Sequence, residues 1–502
     1  MSSQPQSDPA EVSSAPEWRR HLVVITCGVF LFLLLSGLLI TLMPFGLTTQ
    51  FLVLFHTGAG LAFIPLYVVY QVRHWLRFHG KTLTNIKYLG YTTLVATLIS
   101  LVSGVWVTAD AALGTKLDPL MDDLHLILSL VAGAILIWHL VLVLRLQRAW
   151  PDPETRAAYR GSHSAFFGRI SGVAAALLIA VLGAGAIYHF TDIPTEDYSI
   201  PDDYVFKYGD NPFAPSLAMT ADGGAVDPRL LAYSRRCGES GCHEQILKEW
   251  LPSAHRYSSM DLAFQAVQHL MAENEGPEST RYCAGCHDPI ALFSGSKNLY
   301  NEDLSSFGAD EGISCLVCHS ITQADVKGNA NYTLERPVPY AFALHDGPAA
   351  AFLSRFLVRS YPDYHVSSYK RELYKTPEFC GACHKQFIDQ EINKVGWVQL
   401  QNQYDNWKAS LWNRSEDPAK KITCNECHMR LMDSEDPGSG DDLDYNRSPD
   451  DGKTRHHGYI AANQFIPLAH GLEGAEEHVR LVEEWLKGET VIPEIADKWR
   501  GG

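Results

Sequence analysis

The chain has 502 residues, of which 46% are hydrophobic, and its 57 acidic and 41 basic side chains give a formal net charge of −16 at pH 7. This length exceeds that of a usual single domain. The sequence contains neither phosphate-binding loops nor dinucleotide-binding fingerprints in a helical context, and it lacks a nucleic-acid-binding signature, so we expect no nucleic acid among its partners.

The N-terminal part consists of a polar leader and five apolar segments. We expect the leader, residues 1–20, to lie in the cytoplasm. Each apolar segment is long enough to cross a bilayer as a helix: 22–43, 51–73, 89–108, 124–144 and 169–189. We therefore predict an all-α bundle of five transmembrane helices over 21–190. The first segment lacks a small-residue cleavage site, which predicts an uncleaved signal anchor.

Basic residues predict the orientation of this bundle. Eleven of its twelve basic residues lie before the first segment, between the second and third, or between the fourth and fifth. Such residues mark the cytoplasmic side of a membrane, so five crossings place the C-terminal part on the other side. We expect a multi-pass protein of a bacterial inner membrane, with a cytoplasmic N-terminus and a periplasmic C-terminal domain.

Four histidines lie in or beside the second and fourth apolar segments. Ionisable residues there are costly and usually functional. At about 100° per residue, each helix presents its two histidines on nearly one face. This pattern predicts two b-type haems stacked across the bilayer, the outer held by His56 and His125 and the inner by His74 and His139. Nearby glycines would leave room for the flat macrocycles: Gly58, Gly60, Gly104 and Gly133.

The alternative is that these histidines bind no haem. His74 lies in RHWLRFHG, a basic aromatic stretch typical of an anchor at the cytoplasmic interface. His125 borders an acidic connection and would then be solvated. His189, at the outer end of the fifth segment, would face either a haem or the interface.

Ten of the eleven cysteines lie between 237 and 427 and form five pairs. Four pairs read Cys-x-x-Cys-His, at 283–287, 315–319, 380–384 and 424–428. This is the attachment signature of c-type haem, in which the thiols bond to the vinyl groups and the histidine binds the iron. Zinc sites and disulfides also use paired cysteines, but neither requires a histidine after every pair.

The fifth pair lies in RRCGESGCHEQ, residues 235–245, where two extra residues separate the thiols and the trailing histidine is kept. We interpret it as a widened haem motif and predict five covalent haems c. The predicted attachment residues are Cys237, Cys242, Cys283, Cys286, Cys315, Cys318, Cys380, Cys383, Cys424 and Cys427, and the predicted proximal iron ligands are His243, His287, His319, His384 and His428.

The C-terminal part is strongly acidic, since residues 191–502 hold 48 acidic and 29 basic side chains, a formal charge of −19. We predict a periplasmic linker over 191–230, which is rich in Pro, Asp and Tyr, and a pentahaem domain over 231–502. Little periodicity occurs in this domain, so we expect mostly helix and coil with little sheet. Haem is attached to c-type cytochromes outside the cytoplasmic membrane, which agrees with the orientation predicted from the basic residues.

This domain resembles multihaem cytochromes. EWLPSAH (249–255), NWKASLW (406–412) with CNECHM (424–429), and HGYIAAN (457–463) are similar to recurring elements of the group that contains pentahaem nitrite reductase, tetrahaem cytochrome c554 and hydroxylamine oxidoreductase. The resemblance covers about 230–475. It implies closely stacked haems and favours His255 and His457 as distal iron ligands. His365, His345 and His470 are further candidates.

Two features depart from that group. Trp412 stands where the second Trp-x-x-Ser element would have a histidine, and no Cys-x-x-Cys-Lys occurs, so the lysine-ligated haem of nitrite reductase is not implied. The membrane part resembles di-haem cytochrome b subunits of hydrogenases and formate dehydrogenases. The whole resembles inner-membrane quinol oxidoreductases of metal-respiring bacteria, which implies additional membrane or iron–sulfur subunits as partners.

Three functions compete for this sequence. The favoured hypothesis is a quinol:cytochrome c-type oxidoreductase that passes electrons from the quinone pool to a periplasmic redox protein, through two haems b and five haems c. The second is a membrane-tethered reductase or oxidase of a small nitrogen or sulfur compound, with Trp412 marking an open haem. The third is a membrane-anchored electron carrier without haem b.

Overall fold

The computed structural model describes residues 17–80, 82–114, 117–191, 205–295 and 308–500. Most of the predicted leader, part of the predicted linker (192–204), and the basic residues Lys81 and Lys116 lie outside these ranges. The chain forms two compact units. The helical unit comprises the described residues up to 191 together with 338–362, and the motif unit comprises the described residues of 205–337 and 363–500.

Within the described residues, five helices are long and apolar enough to cross a membrane, as the sequence predicts. They are α1 (His21–Leu42), α2 (Leu47–Phe78), α3 (Asn85–Leu113), α4 (Pro119–Arg148) and α5 (Pro153–Thr191). Helix α3 begins at Thr84, whose hydroxyl accepts from the Lys87 amide, and ends at Gly114 in the left-handed region. Helix α4 begins with Pro119 after Asp118, whose carboxylate accepts from the Leu120 amide.

The remaining helices are short and joined by coil. They are α6 (Glu244–Trp250), α7 (Ala254–Tyr257), α8 (Leu262–Glu275), α9 (Arg281–His287), α10 (Pro289–Phe293), α11 (Cys315–His319), α12 (Pro348–Ser360), α13 (Pro362–Tyr369), α14 (Pro377–Gly381), α15 (Gln390–Asn393), α16 (Gln403–Lys408), α17 (Cys424–His428), α18 (Phe465–Ala469), α19 (Ala475–Lys487) and α20 (Pro493–Arg500). The predicted fold class, an apolar helix bundle followed by a mostly helical and coil domain, is confirmed.

The strands of the motif unit are short and make three small sheets in the described residues. They are β1 (Met219–Thr220), β2 (Ile321–Ala324), β3 (Tyr332–Leu334), β4 (Lys385–Ile388), β5 (Val398–Asn402), β6 (Leu431–Asp433) and β7 (Lys453–Arg455). Strand β3 pairs parallel with β1 and antiparallel with β2, and β4–β5 and β6–β7 are antiparallel pairs. Strands β2, β4 and β6 each start within three residues of a motif histidine, so the third, fourth and fifth motifs each lead into a strand.

The main hydrophobic core of the motif unit contains residues of three motifs. Ala284, Val317 and Ala382, which lie between motif cysteines, are fully or almost fully buried in it. Phe293 and Leu334 belong to the same core. The motifs are therefore parts of one packed interior.

Residues 338–362 lie within the predicted pentahaem domain in sequence but belong to the helical unit. The Gln50 side chain donates to the carbonyl of Pro339 (3.2 Å) and accepts from the amide of Ala341 (2.7 Å). The Tyr361 hydroxyl donates to the carbonyl of Thr49 (2.8 Å), and Arg359, on α12, donates to the carbonyl of Ala111 (3.3 Å). This segment therefore lies against the ends of α2 and α3.

Candidate haem sites

Local helical turns present the cysteines of the four regular motifs. Ser314 caps α11 by accepting from the Val317 amide (3.0 Å), so the helix starts at the first cysteine of its motif. Thr423 and Glu426 form a capping box that starts α17 at Cys424. Thr376 caps α14, which ends at Gly381 within its motif.

The widened motif reaches the same local geometry by another route. Its extra residues include Ser240 (φ 57°) and Gly241 (φ 78°), both in the left-handed region, which glycine adopts without strain. The loop closes so that the His243 amide donates to the Cys237 carbonyl at 2.8 Å. In a regular motif, the His384 amide donates to the Cys380 carbonyl at the same 2.8 Å. Both motifs thus hold the histidine against the first cysteine.

Thiols of different motifs lie in contact. The thiols of Cys237 and Cys315, in the first and third motifs, interact. The same holds for the second motif with the fourth and the fourth with the fifth, through the pairs Cys286–Cys383 and Cys380–Cys424. These pairs therefore join the first and third motifs in one group and the second, fourth and fifth motifs in another.

Most predicted proximal histidines are oriented by a hydrogen bond at Nδ1. The acceptor for His243 is the buried carboxylate of Asp436 (2.7 Å). Backbone carbonyls accept from the others with a recorded bond: Tyr369 for His319 (2.8 Å), Ile460 for His428 (2.9 Å) and Ser258 for His287 (3.3 Å). A bond at Nδ1 leaves Nε2 for a metal, which is the usual arrangement around metal-binding histidines.

Two predicted distal ligands face proximal histidines at a distance that fits one iron. The ring centroids of His243 and His365 are 6.2 Å apart, and those of His384 and His255 are also 6.2 Å apart. Imidazoles on opposite sides of one metal, with each nitrogen about 2 Å from it, place their centroids about 6 Å apart. The donor sets therefore fit two bis-histidine haems.

Burial keeps these distal histidines neutral, as iron ligation requires. It lowers the pKa of His255 to about 3, with a further contribution from His384. It lowers the pKa of His365 to about 4, with His243 adding to the effect.

His457 is a predicted distal ligand that interacts electrostatically with His319. Burial lowers its pKa to about 3, and His319 is the second cause. Its Nδ1 donates to the carbonyl of Arg455 (2.7 Å), and its amide donates to the carboxylate of Glu249 (2.9 Å). A hydrogen bond at Nδ1 therefore orients the ring of His457, as it does the rings of most predicted proximal histidines.

The other two distal candidates have different surroundings. His345 belongs to the helical unit, where its ring centroid lies 5.5 Å from that of Tyr188. His470 follows α18 in the motif unit, and its buried Nε2 has no hydrogen-bond partner among the described residues. No aromatic ring contact joins His470 to a predicted proximal histidine in the described residues.

His478 is a candidate that the sequence interpretation left out. It is 2% exposed, and both ring nitrogens are buried without a hydrogen-bond partner in the described structure. Burying a polar group without a hydrogen-bond partner is costly, and coordination of an iron by the ring would remove that cost. His478 shares one face of α19 with Leu481, Val482 and Trp485, and the centroid of Trp485 lies 5.4 Å from that of His428. The apolar spacing of these residues along α19 was the signal in the sequence that could have identified His478 as a buried candidate ligand.

The two Trp-x-x-Ser elements have the same local structure. The indole of Trp250 donates to the carbonyl of Ile313 (3.0 Å), and the indole of Trp407 donates to that of Ile422 (2.8 Å). Both carbonyls lie two residues before the first cysteine of a motif. Each tryptophan therefore positions a motif, and only the first element continues to a histidine. Trp412 is 43% exposed, with its ring centroid 5.5 Å from that of Trp499.

The outer histidine pair of the helical unit has the same separation as the pairs of the motif unit. The ring centroids of His56 and His125 are 6.1 Å apart. Nδ1 of His125 donates to the carbonyl of Ser100 (2.9 Å), and Nδ1 of His56 lies 2.9 Å from the hydroxyl of Ser36. That hydroxyl donates to a carbonyl, so its lone pairs are available to the His56 ring.

The two histidines of the inner pair of the helical unit have less similar surroundings than those of the outer pair. His74 and His139 are close enough to interact electrostatically. Nδ1 of His139 donates to the carbonyl of Ile86 (2.9 Å). The ring of His74 lies between those of Tyr70 and Phe78, with centroid distances of 5.6 and 4.8 Å.

Glycines allow the histidine rings to approach neighbouring helices. A Cβ atom at Gly104 would lie 2.6 Å from Cε1 of His125, and one at Gly37 would lie 3.3 Å from Cε1 of His56. Gly90 makes the corresponding approach to His139 (3.5 Å). Gly104 was among the predicted glycines, whereas Gly37 and Gly90 were not. Gly58 faces open space, since a Cβ atom added there would have nothing within 4 Å.

Comparison with known families agrees with this geometry. Residues 236–320 match the family model described as cytochrome c554 and c-prime, and the matched stretch includes the widened motif and two regular ones. This match over part of the chain supports a c-type cytochrome, that is, an electron-transfer protein with haem c, and the five apolar helices are compatible with a membrane domain. No curated protein and no solved structure matches the chain.

Proposed function

We propose that this cytochrome passes electrons between the quinone pool of a bacterial inner membrane and a soluble periplasmic protein, with quinol as the electron donor. The chain would hold two haems b in the helical unit and five haems c in the motif unit. Bound haem supplies one-electron chemistry at its iron, tuned by its axial ligands. The chain's own residues fix the position and ligation of each group.

The observation that carries this proposal is the outer histidine pair. Two imidazoles 6.1 Å apart inside an apolar bundle, each with Nδ1 at a hydrogen-bonding group, form a donor set for one iron. Glycine at 104 admits the His125 ring against α3. The second pair, His74 and His139, extends the same arrangement toward the inner side.

In the motif unit, the five Cys-His groups would attach the haems c. His365 would complete the ligation begun by His243, His255 that of His384, and His457 that of His319. Contacts between motif thiols support attachment points that lie close together, which would suit transfer over short distances. Nearby aromatic rings, such as Phe264 on His287 (4.5 Å), exclude water from these histidines.

The test is a pyridine haemochrome assay on the purified protein, which counts covalent haem c and extractable haem b per chain. We expect five haems c and two haems b in the wild type. The His125→Ala variant should lose one haem b and keep all haem c, whereas Cys242→Ala should lose one haem c and keep both haems b. Reduction of the protein by a quinol should then fail in His125→Ala.

Other counts would overturn parts of the proposal. Five haems c without haem b would leave a membrane-anchored electron carrier, and the quinol assay would then be negative in the wild type as well. Four haems c would show that the widened motif does not bind haem.

A further inference from the structure

A cleft lies between α4 and α5. None of its lining residues takes part in the proposed electron path. The cleft has a volume of about 380 Å³ and is lined by Arg148, Arg160, His163, Ser164 and Phe167. Arg148 ends α4, and the other four residues lie in the first part of α5. By the distribution of basic residues, this is the cytoplasmic end of the bundle.

The cleft offers two guanidinium groups to an anion. Arg148 and Arg160 are exposed, and no carboxylate of the described chain forms an ion pair with either of them. Arginine presents several N–H donors in a planar array that matches phosphate oxygens. Ser164, also exposed, adds a hydroxyl.

The cleft also offers a buried acceptor without a donor. His163 is 4% exposed, and its Nε2 donates to the side-chain carbonyl of Gln147 at 2.6 Å. In the neutral ring Nδ1 is then an acceptor, and in the described structure this atom is buried without a hydrogen-bond partner. Trp18 packs edge-on against the ring (4.9 Å), which holds it in place. A ligand with a hydroxyl group would satisfy Nδ1.

Two residues that line the cleft lie at the depth of the headgroup layer of a membrane. Arg148 lies four residues, about 6 Å along the helix, beyond the apolar segment that ends at 144. Phe167 lies two residues, about 3 Å, outside the segment that begins at 169, and its ring is 38% exposed. The headgroup layer is about 5–7 Å thick on each side of the hydrocarbon core.

We propose that this cleft binds the headgroup of an anionic phospholipid that carries free hydroxyls, as phosphatidylglycerol does. The phosphate contacts Arg148 and Arg160, a glycerol hydroxyl donates to Nδ1 of His163, and the acyl chains leave past Phe167. Basic pockets between transmembrane helices on the cytoplasmic side are suited to such headgroups. This inference depends on the membrane bundle alone and does not require haem b or quinol.

The test is native mass spectrometry of the full-length, haem-loaded protein in detergent, with phosphatidylglycerol, phosphatidic acid or phosphatidylcholine added at equal concentration. We expect phosphatidylglycerol to be retained best, phosphatidic acid less because it lacks the glycerol hydroxyls, and phosphatidylcholine least. The double variant R148Q/R160Q should bind phosphatidylglycerol about tenfold to thirtyfold more weakly, since each basic contact is lost.

The matched control is R73Q/R145Q, which removes the same charge from the same side of the bundle without touching the cleft. It should keep wild-type retention and wild-type haem content. Equal loss of phosphatidylglycerol in both double variants would overturn the proposal, because bulk charge would then explain the binding. Retention of a quinone by the wild type that R148Q/R160Q abolishes would also overturn it, by assigning the cleft to quinone.

Discussion

At the scale of single residues, the partner of His243 sets it apart from the other proximal histidines. Asp436 is buried, and its carboxylate accepts from Nδ1 of His243 (2.7 Å), whereas the recorded acceptors of the other motif histidines are backbone carbonyls. A carboxylate makes the imidazole a stronger electron donor to a bound metal. A haem held by Cys237 and Cys242, as we propose, should therefore have a lowered potential.

This effect can be measured with Asp436→Asn, which keeps an oxygen acceptor and removes the charge. We expect one haem c potential to rise by about 50 mV, the equivalent of one charge-assisted hydrogen bond for a one-electron couple. Spectroelectrochemical titration of the purified protein would show it. Asp433→Asn, at an exposed position on β6, is the control and should leave the potentials unchanged. An unchanged titration in Asp436→Asn would contradict the role of this carboxylate.

At the scale of elements, the close contact between α3 and α4 depends on glycine at 104. Gly104→Ala would bring a methyl carbon to 2.6 Å from Cε1 and 2.8 Å from Nδ1 of His125, so the ring must move away from the carbonyl of Ser100. We expect loss of one haem b with all haem c retained, measured as the ratio of the two haems in the haemochrome assay.

The matched control for this substitution is Gly172→Ala, on α5 of the same bundle, where nothing lies within 4 Å of the added methyl group. Gly172→Ala should keep the wild-type ratio and should be slightly favourable for helix formation, because alanine has the higher helix propensity. A normal haem b content in Gly104→Ala would show that the His125 ring needs no close approach at this point.

The elements of secondary structure also show how much of the fold could be predicted from the sequence. Hydropathy and motif spacing were enough to predict the five apolar helices, their order and the helix-and-coil character of the motif unit, because those signals are local. Local signals did not reveal that Gly37 and Gly90 approach His56 and His139, or that His478 is fully buried. Such facts depend on which helices become neighbours, and a single sequence does not encode that in its spacing. The left-handed turn at Ser240 and Gly241 was not predicted either, because it depends on how the loop between the two cysteines closes.

At the scale of the whole molecule, charge is distributed unevenly. The C-terminal part from residue 191 carries a formal charge of −19. Such an excess attracts a basic partner over distances set by the Debye length and raises its association rate at low salt. We therefore expect a basic soluble cytochrome to accept electrons from the reduced protein in a salt-sensitive reaction.

Stopped-flow measurement of that electron transfer would test this expectation. Between about 10 mM and about 500 mM salt, the second-order rate constant should fall by about tenfold or more for the basic acceptor. An acidic acceptor of similar potential should show no such fall and should gain slightly as salt screens repulsion. Equal salt responses for both acceptors would mean that the acidic excess serves solubility alone.

The path of the chain through residues 338–362 bears on how the protein is made. These 25 residues complete the helical unit, yet they follow the third haem motif and precede the fourth. During synthesis, the five long helices are therefore complete before the segment that packs against the ends of α2 and α3 has been made. Cutting the gene at residue 190 would take this segment away from the helical unit.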